Sequence, residues 1–128
     1  GLPGETVETI KQSMRFMEEI DTDTAQVSKA VPYPGTPMHK WALENHYLIT
    51  DDLARYDGMG KAILNYPNLS NHELDRWYEI FSKRVARKKV IRYLKEPKQS
   101  LSIIREMWKR KGFVSISRSV WTFLRRAV

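Results

Sequence analysis

Three prolines and a glycine stand within six residues, Pro32-Tyr33-Pro34-Gly35-Thr36-Pro37. Proline lacks a backbone N–H and fixes φ, so no helix or strand ladder runs through this stretch. The chain must turn here. Thr36-Pro37 also reads as a helix start, because proline at the first helical position forfeits no needed donor. A helix is therefore expected through Trp41, Ala42 and Leu43 to about His46. Upstream, Ala25, Val27 and Val31 alternate with Gln26, Ser28 and Ala30, which predicts a strand over 24–31. Lys29 is the exception on its apolar side. Before it, Val7, Ile10, Met14 and Met17 follow the spacing of one buried helical stripe. That predicts a helix over 6–20, with Thr6 as cap and Glu8 in the dipole-favoured first turn. Asp21 to Asp23 ends the pattern.

Beyond residue 47 the signals change. Asp57-Gly58-Met59-Gly60 is a turn. Lys61 to Tyr66 reads as a short strand ended by Pro67; strand 24–31 has exposed edges unless this segment pairs with it or the chain associates. Ser70 and Glu73 form a capping box for a helix over 71–95, with Leu74, Trp77, Tyr78, Phe81 and Val85 on one face. A further helix is expected over 97–111, with Leu101, Ile104, Met107 and Trp108 on its apolar side and Gly112 as its stop. Residues 113–128 carry Ile116, Val120, Phe123, Leu124 and Ala127 at helical spacing. The organisation predicted is 1–47 as helix–strand–helix, 48–70 as a connecting segment, and 71–128 as a basic helical region. The fold class is α+β, mostly helical, with a small sheet.

Charge sharpens this division. Residues 1–82 hold 7 Lys and Arg against 13 Asp and Glu, a net of −6. Residues 83–128 hold 15 against two, a net of +13. A basic half with Trp108, Phe113, Trp121 and Phe123 has the composition of an interfacial helix on anionic lipid. Packing of the same aromatics against a helical core, with solvated basic faces, ranks above that reading, and a partner protein is the other docking surface such a module would suit. Nucleic acid ranks third, since no base-reading module is present. No apolar run reaches the roughly 20 residues of a membrane helix, and no signal-peptide pattern opens the chain. The expected location is cytoplasmic, with peripheral membrane attachment under the lipid reading.

The chain has no cysteine. Disulfides, thiolate zinc sites, thiol nucleophiles and cysteine-held iron–sulfur clusters are excluded for these residues. His39 and His46 are seven apart and His72 is remote, so none forms a helical metal pair. Asp51, Asp52 and Asp57 read as solvated loop acids. Gly58-Met59-Gly60-Lys61 lacks the spacing of a phosphate loop.

Gly1-Leu2-Pro3-Gly4-Glu5-Thr6, then a helix, a strand and Pro32-Tyr33-Pro34-Gly35-Thr36-Pro37, resembles the late part of the radical-SAM barrel over residues 1–47. Arg55-Tyr56-Asp57-Gly58 and Tyr66-Pro67-Asn68-Leu69-Ser70 extend the resemblance to the subgroup with a cobalamin-binding domain, which includes magnesium-protoporphyrin IX monomethyl ester oxidative cyclases and hopanoid-associated proteins. The resemblance implies a C-terminal piece of an oxidoreductase or cyclase acting on a porphyrin or polycyclic lipid. It implies a parent with a 4Fe-4S cluster, SAM and, in this subgroup, cobalamin, and it makes the rest of that parent chain the first partner. Since Gly1 is not Met and the strand before the first turn is missing, a cut or processed start is expected. The cluster loop would lie before Gly1, so the piece alone would be inactive, with no catalytic residue, metal or cofactor of its own.

The resemblance places Gly1, Gly4, Glu5, Val31 and Tyr33 on the wall of the SAM pocket. Each has a plainer reading. Gly1 to Gly4 make a tight strand-to-helix turn, Glu5 is a helix N-terminal carboxylate, and Tyr33 is as well explained by packing as by contact with substrate.

Overall fold

The computed structural model describes residues 1–20, 22, 25–95 and 105, with Tyr93 and Leu94 described by backbone alone. The helices expected over 97–111 and 113–128 lie outside the described residues, apart from Arg105, which is helical and exposed. The architecture is mostly helical: α1 (Val7–Glu19), α2 (Pro37–Glu44), a 3-10 turn (Leu53–Arg55) and α3 (Asn71–Lys95). No helix among the described residues is long and apolar enough to cross a membrane.

Local chemistry sets each helix end. Thr6 Oγ1 accepts from the Thr9 N–H, and Thr9 Oγ1 accepts from the Thr6 N–H, a reciprocal cap on α1. The Ile10, Met14 and Met17 stripe is its buried face. Thr36 is extended (φ −88°, ψ 154°) and accepts from the His39 N–H, with Pro37 opening α2. The far end of α2 closes two residues before His46. His46 takes φ 56°, its N–H donates to Leu43 O, and the Tyr47 N–H donates to Ala42 O. This is a Schellman closure with histidine where glycine is usual. At α3, Ser70 Oγ accepts from the Glu73 N–H while the Glu73 carboxylate accepts from both the Ser70 N–H and its hydroxyl.

The small sheet expected from the sequence does not form among the described residues. Among the described residues there is no strand, only two isolated antiparallel bridges, Leu48 with Leu64 and Tyr66 with Leu69. Lys61 to Tyr66 pairs with 47–49 and not with the segment 24–31: the Ile49 N–H donates to Ile63 O and the Asn65 N–H to Tyr47 O. Residues 25–31 belong to no helix and, among the described residues, to no strand. Among the described residues their backbone is tied by the hydrogen bond from the Lys29 N–H to Gly58 O at 2.8 Å. An apolar alternation predicts extension, whereas a sheet also needs a second chain within ladder distance. The remnant of radical-SAM barrel units expected over 1–47 is likewise not what these residues show.

The chain divides into two compact units. The first comprises Gly1–Glu19 and Val27–Phe81. Its core holds Ile10, Met14, Ala42, Ala62, Leu64, Tyr66, Leu69 and Leu74, with Trp41, Tyr47, Trp77 and Phe81 packed against it. The second comprises Ile20–Gln26 and Ser82–Val128. Within it, Lys88 Nζ donates to Ile20 O. Thr22 Oγ1 and Ser82 Oγ are buried there with no hydrogen-bond partner among the described residues.

Candidate functional site

A cavity of about 310 Å³ opens in the first unit. Four short pieces of chain build it. The turn before α1 supplies Gly1, Leu2 and Glu5, and α1 supplies Ile10 and Ser13. The segment between α1 and α2 supplies Val27 to Ala30, and α3 supplies Leu74, Trp77, Tyr78 and Phe81. The α3 residues recur at three- and four-residue spacing, which sets Leu74, Trp77, Tyr78 and Phe81 along one side of the helix. The volume sits at the lower end of the 300–1,000 Å³ range of small-molecule pockets.

One wall is held by a polar clamp. Lys29 Nζ donates to Asp75 Oδ1 at 2.7 Å and to Gly60 O, and it lies 4.4 Å from the centroid of the Tyr78 ring. The Lys29 side chain is 9% exposed and that of Asp75 14%. Asp75 Oδ1 also accepts from the Ala62 N–H at 2.8 Å, and Lys61 Nζ lies 3.8 Å from Asp75 Oδ2. Burial works against the Asp75 carboxylate. The Lys29 hydrogen bond, the Ala62 N–H and the charges of Lys29 and Lys61 outweigh it, and its pKa falls below the ordinary 3.8. A buried charge needs such partners, since an unpaired one is strongly unfavourable.

The turn at 57–60 completes this wall. Asp57 Oδ1 accepts from the Met59 and Gly60 N–H groups, which lowers its pKa, the Gly60 bond contributing most. Gly58 has φ +69°, and a Cβ there would stand 3.1 Å from Lys29 O. The position therefore needs glycine for both conformation and close approach.

An aromatic corner also meets the Gly1 turn. Tyr47 and Tyr66 meet edge to face at 5.2 Å, as do Trp41 and Tyr47 at 5.2 Å, and Trp41 and Tyr66 are tilted at 6.0 Å. The Tyr66 hydroxyl donates to Gly1 O at 2.8 Å. Burial, helped by the charge of Glu5 and by Tyr47, pushes the Tyr66 phenol up from 10.0 to about 12.

Among residues singled out from the sequence, Gly1 and Glu5 meet at the cavity. Glu5 accepts from the Gly1 amino group. Gly4 faces open space at φ +82°. Val31 packs by Gly58 and outside the cavity lining. Tyr33 is 55% exposed, and its hydroxyl donates to Tyr56 O at 3.2 Å. Asp52 caps the 3-10 turn through the Ala54 N–H, so Asp52 and Asp57 serve turns. No cluster of three His, Cys, Asp or Glu able to hold a metal occurs among the described residues. Asp75 was not foreseen. The one trace of the clamp in the sequence is Lys29, a charge out of place on an apolar stripe.

Comparison with known proteins adds one relative. The chain is 26% identical over 125 residues to a protein of Pyrococcus horikoshii described as an uncharacterized methyltransferase, PH0819. The match takes in 98% of this chain and 24% of that protein, so the chain spans about a quarter of its relative's length. No protein-family model and no solved structure matches.

This relative corrects the radical-SAM resemblance. A methyltransferase moves a methyl group, whereas the cyclases of the expected subgroup oxidise their substrate. The assignment as a radical-SAM oxidoreductase or cyclase fragment is therefore withdrawn. The porphyrin or polycyclic-lipid substrate and the iron–sulfur assignment go with it. The two turn motifs that carried the resemblance are short and rich in glycine and proline, and many folds use such turns. The alternative reading, a basic module on an anionic membrane, gains no support either. Most of 83–128 lies outside the described residues.

Proposed function

We propose that this chain is a segment of a methyltransferase. The observation that carries the reading is the similarity to the methyltransferase of Pyrococcus horikoshii, which extends over 98% of the chain. A match of that extent takes in α1, the turns, the segment between α1 and α2, and α3 together and does not rest on one motif. The cavity of the first unit is compatible with a supporting role, as it gathers Gly1, Glu5 and α3 around one opening. The donor proposed is S-adenosylmethionine, the common biological methyl source. On this reading the acceptor and the residues that position it belong to the longer protein.

The test uses a full-length protein that contains this segment. Incubated with S-adenosylmethionine and a small-molecule extract as acceptor pool, it is expected to release S-adenosylhomocysteine. Release should stop when Gly58→Val disrupts the turn behind the cavity wall. A full-length protein that consumes no donor with any fraction of the extract would overturn the reading.

A further inference from the structure

We propose that the cavity in the first unit binds an uncharged, mainly apolar small molecule built on a ring. The proposal goes beyond methyl transfer and does not depend on it.

The lining carries charge, but that charge is already matched within the chain. The Glu5 carboxylate accepts from the Gly1 amino group. Lys29 Nζ is held by Asp75 Oδ1 and Gly60 O, and its side chain is 9% exposed. An anion entering the cavity would have to draw Lys29 off Asp75. A cation would have to draw Glu5 off the Gly1 amino group. Either exchange leaves a partly buried charge without its partner, which is costly. The internal pairing therefore selects against ionised ligands of both signs.

Apolar surface is what remains for a ligand to meet. Ile10, Ala30, Leu74, Trp77 and Phe81 line the space. Ile10 and Leu74 are buried members of the hydrophobic core, so the cavity reaches down to that core. Ser13 and Ser28 are exposed as well as lining, which sets them at its mouth. An apolar floor under a polar mouth suits a small molecule. Burial supplies the binding energy, and a few polar groups set the orientation. A ring suits the space better than a flexible chain of the same size. Trp77 and Phe81 gain from ring-to-ring contact, and a rigid ligand loses less freedom on binding.

The test is an NMR titration of the 128-residue chain with benzyl alcohol, benzoate and benzylammonium, which share one ring and differ in charge. The Trp77 indole N–H is the reporter, assigned with Trp77→Phe. At neutral pH the alcohol is expected to saturate at a concentration about tenfold below either ion. Ser13→Phe narrows the mouth from an exposed position on α1 and is expected to weaken the alcohol about tenfold. An alcohol that binds no more tightly than one of the ions would overturn the proposal. So would the absence of a saturable Trp77 shift with the alcohol, or an unchanged affinity in a folded Ser13→Phe chain. The comparison of the three compounds uses no variant, so it stands even if Ser13→Phe unfolds the chain.

Discussion

The aromatic corner and the clamped cavity wall are built from opposite materials. On one side, Trp41, Tyr47 and Tyr66 close a corner by ring contacts, with one hydroxyl bonded to Gly1 O. On the other, Lys29 and Asp75 hold a wall by charge. The aromatic corner draws on burial, which is non-directional and tolerant of small shifts. The clamp draws on one geometry and fails when either partner is lost. The two sides also fail at opposite ends of the pH scale, since one holds a carboxylate that must stay ionised and the other a phenol that must stay neutral.

The largest expected effect tests the shared core. Leu64 is 1% exposed, and Leu64→Ala is expected to lower stability by about 3–4 kcal/mol. Urea unfolding checks it. On the polar side, Asp75→Ala leaves Lys29 buried without its anion and the Ala62 N–H without its acceptor. A loss of about 3 kcal/mol is expected. The paired change Lys29→Met with Asp75→Leu should recover most of it, because a buried pair is often replaceable by apolar groups of like size. If the double variant is as unstable as Asp75→Ala, the clamp is not the source of the loss.

The pH limbs separate the two sides more finely. Asp75 has a lowered pKa in the folded chain, so its contribution is present above the ordinary 3.8 and is lost as pH falls through the lowered folded value. The acid limb of a stability–pH curve should therefore flatten in Asp75→Asn. Tyr66 has a raised pKa, so its contribution is whole below 10.0 and is lost as pH rises toward about 12. Tyrosinate absorbance during an alkaline titration should lose its component near 12 in Tyr66→Phe, while Tyr56, also raised by burial, still ionises late. The smallest effect is local: Ser70→Ala removes the α3 cap and should cost about 1 kcal/mol in thermal unfolding.

Much of the first unit was legible where a signal is local. The stripe of Ile10, Met14 and Met17, the Thr36-Pro37 start and the Ser70/Glu73 box each act within four residues. Sequence spacing therefore carries their physics. The end of α2 was less legible, because His46 takes a left-handed conformation that glycine or asparagine would have advertised. Strand pairing was not legible at all. Whether Lys61 to Tyr66 meets 47–49 or 25–31 depends on the path of the intervening chain. The candidate site is of the same kind. Its cavity draws on four separate pieces of chain, and Asp75 lies on α3 with nothing in its neighbourhood to mark it as the partner of Lys29.

The clamp has a kinetic side as well. Lys29 and Asp75 are 46 residues apart in the chain. Bringing them together removes freedom from all that lies between. The turn at 57–60 and the first turns of the helices form far faster than a closure of that span. Contacts made late in folding change the rate of unfolding more than the rate of folding. The ion pair is then a fastener, one that governs how long the folded unit persists more than how quickly it assembles.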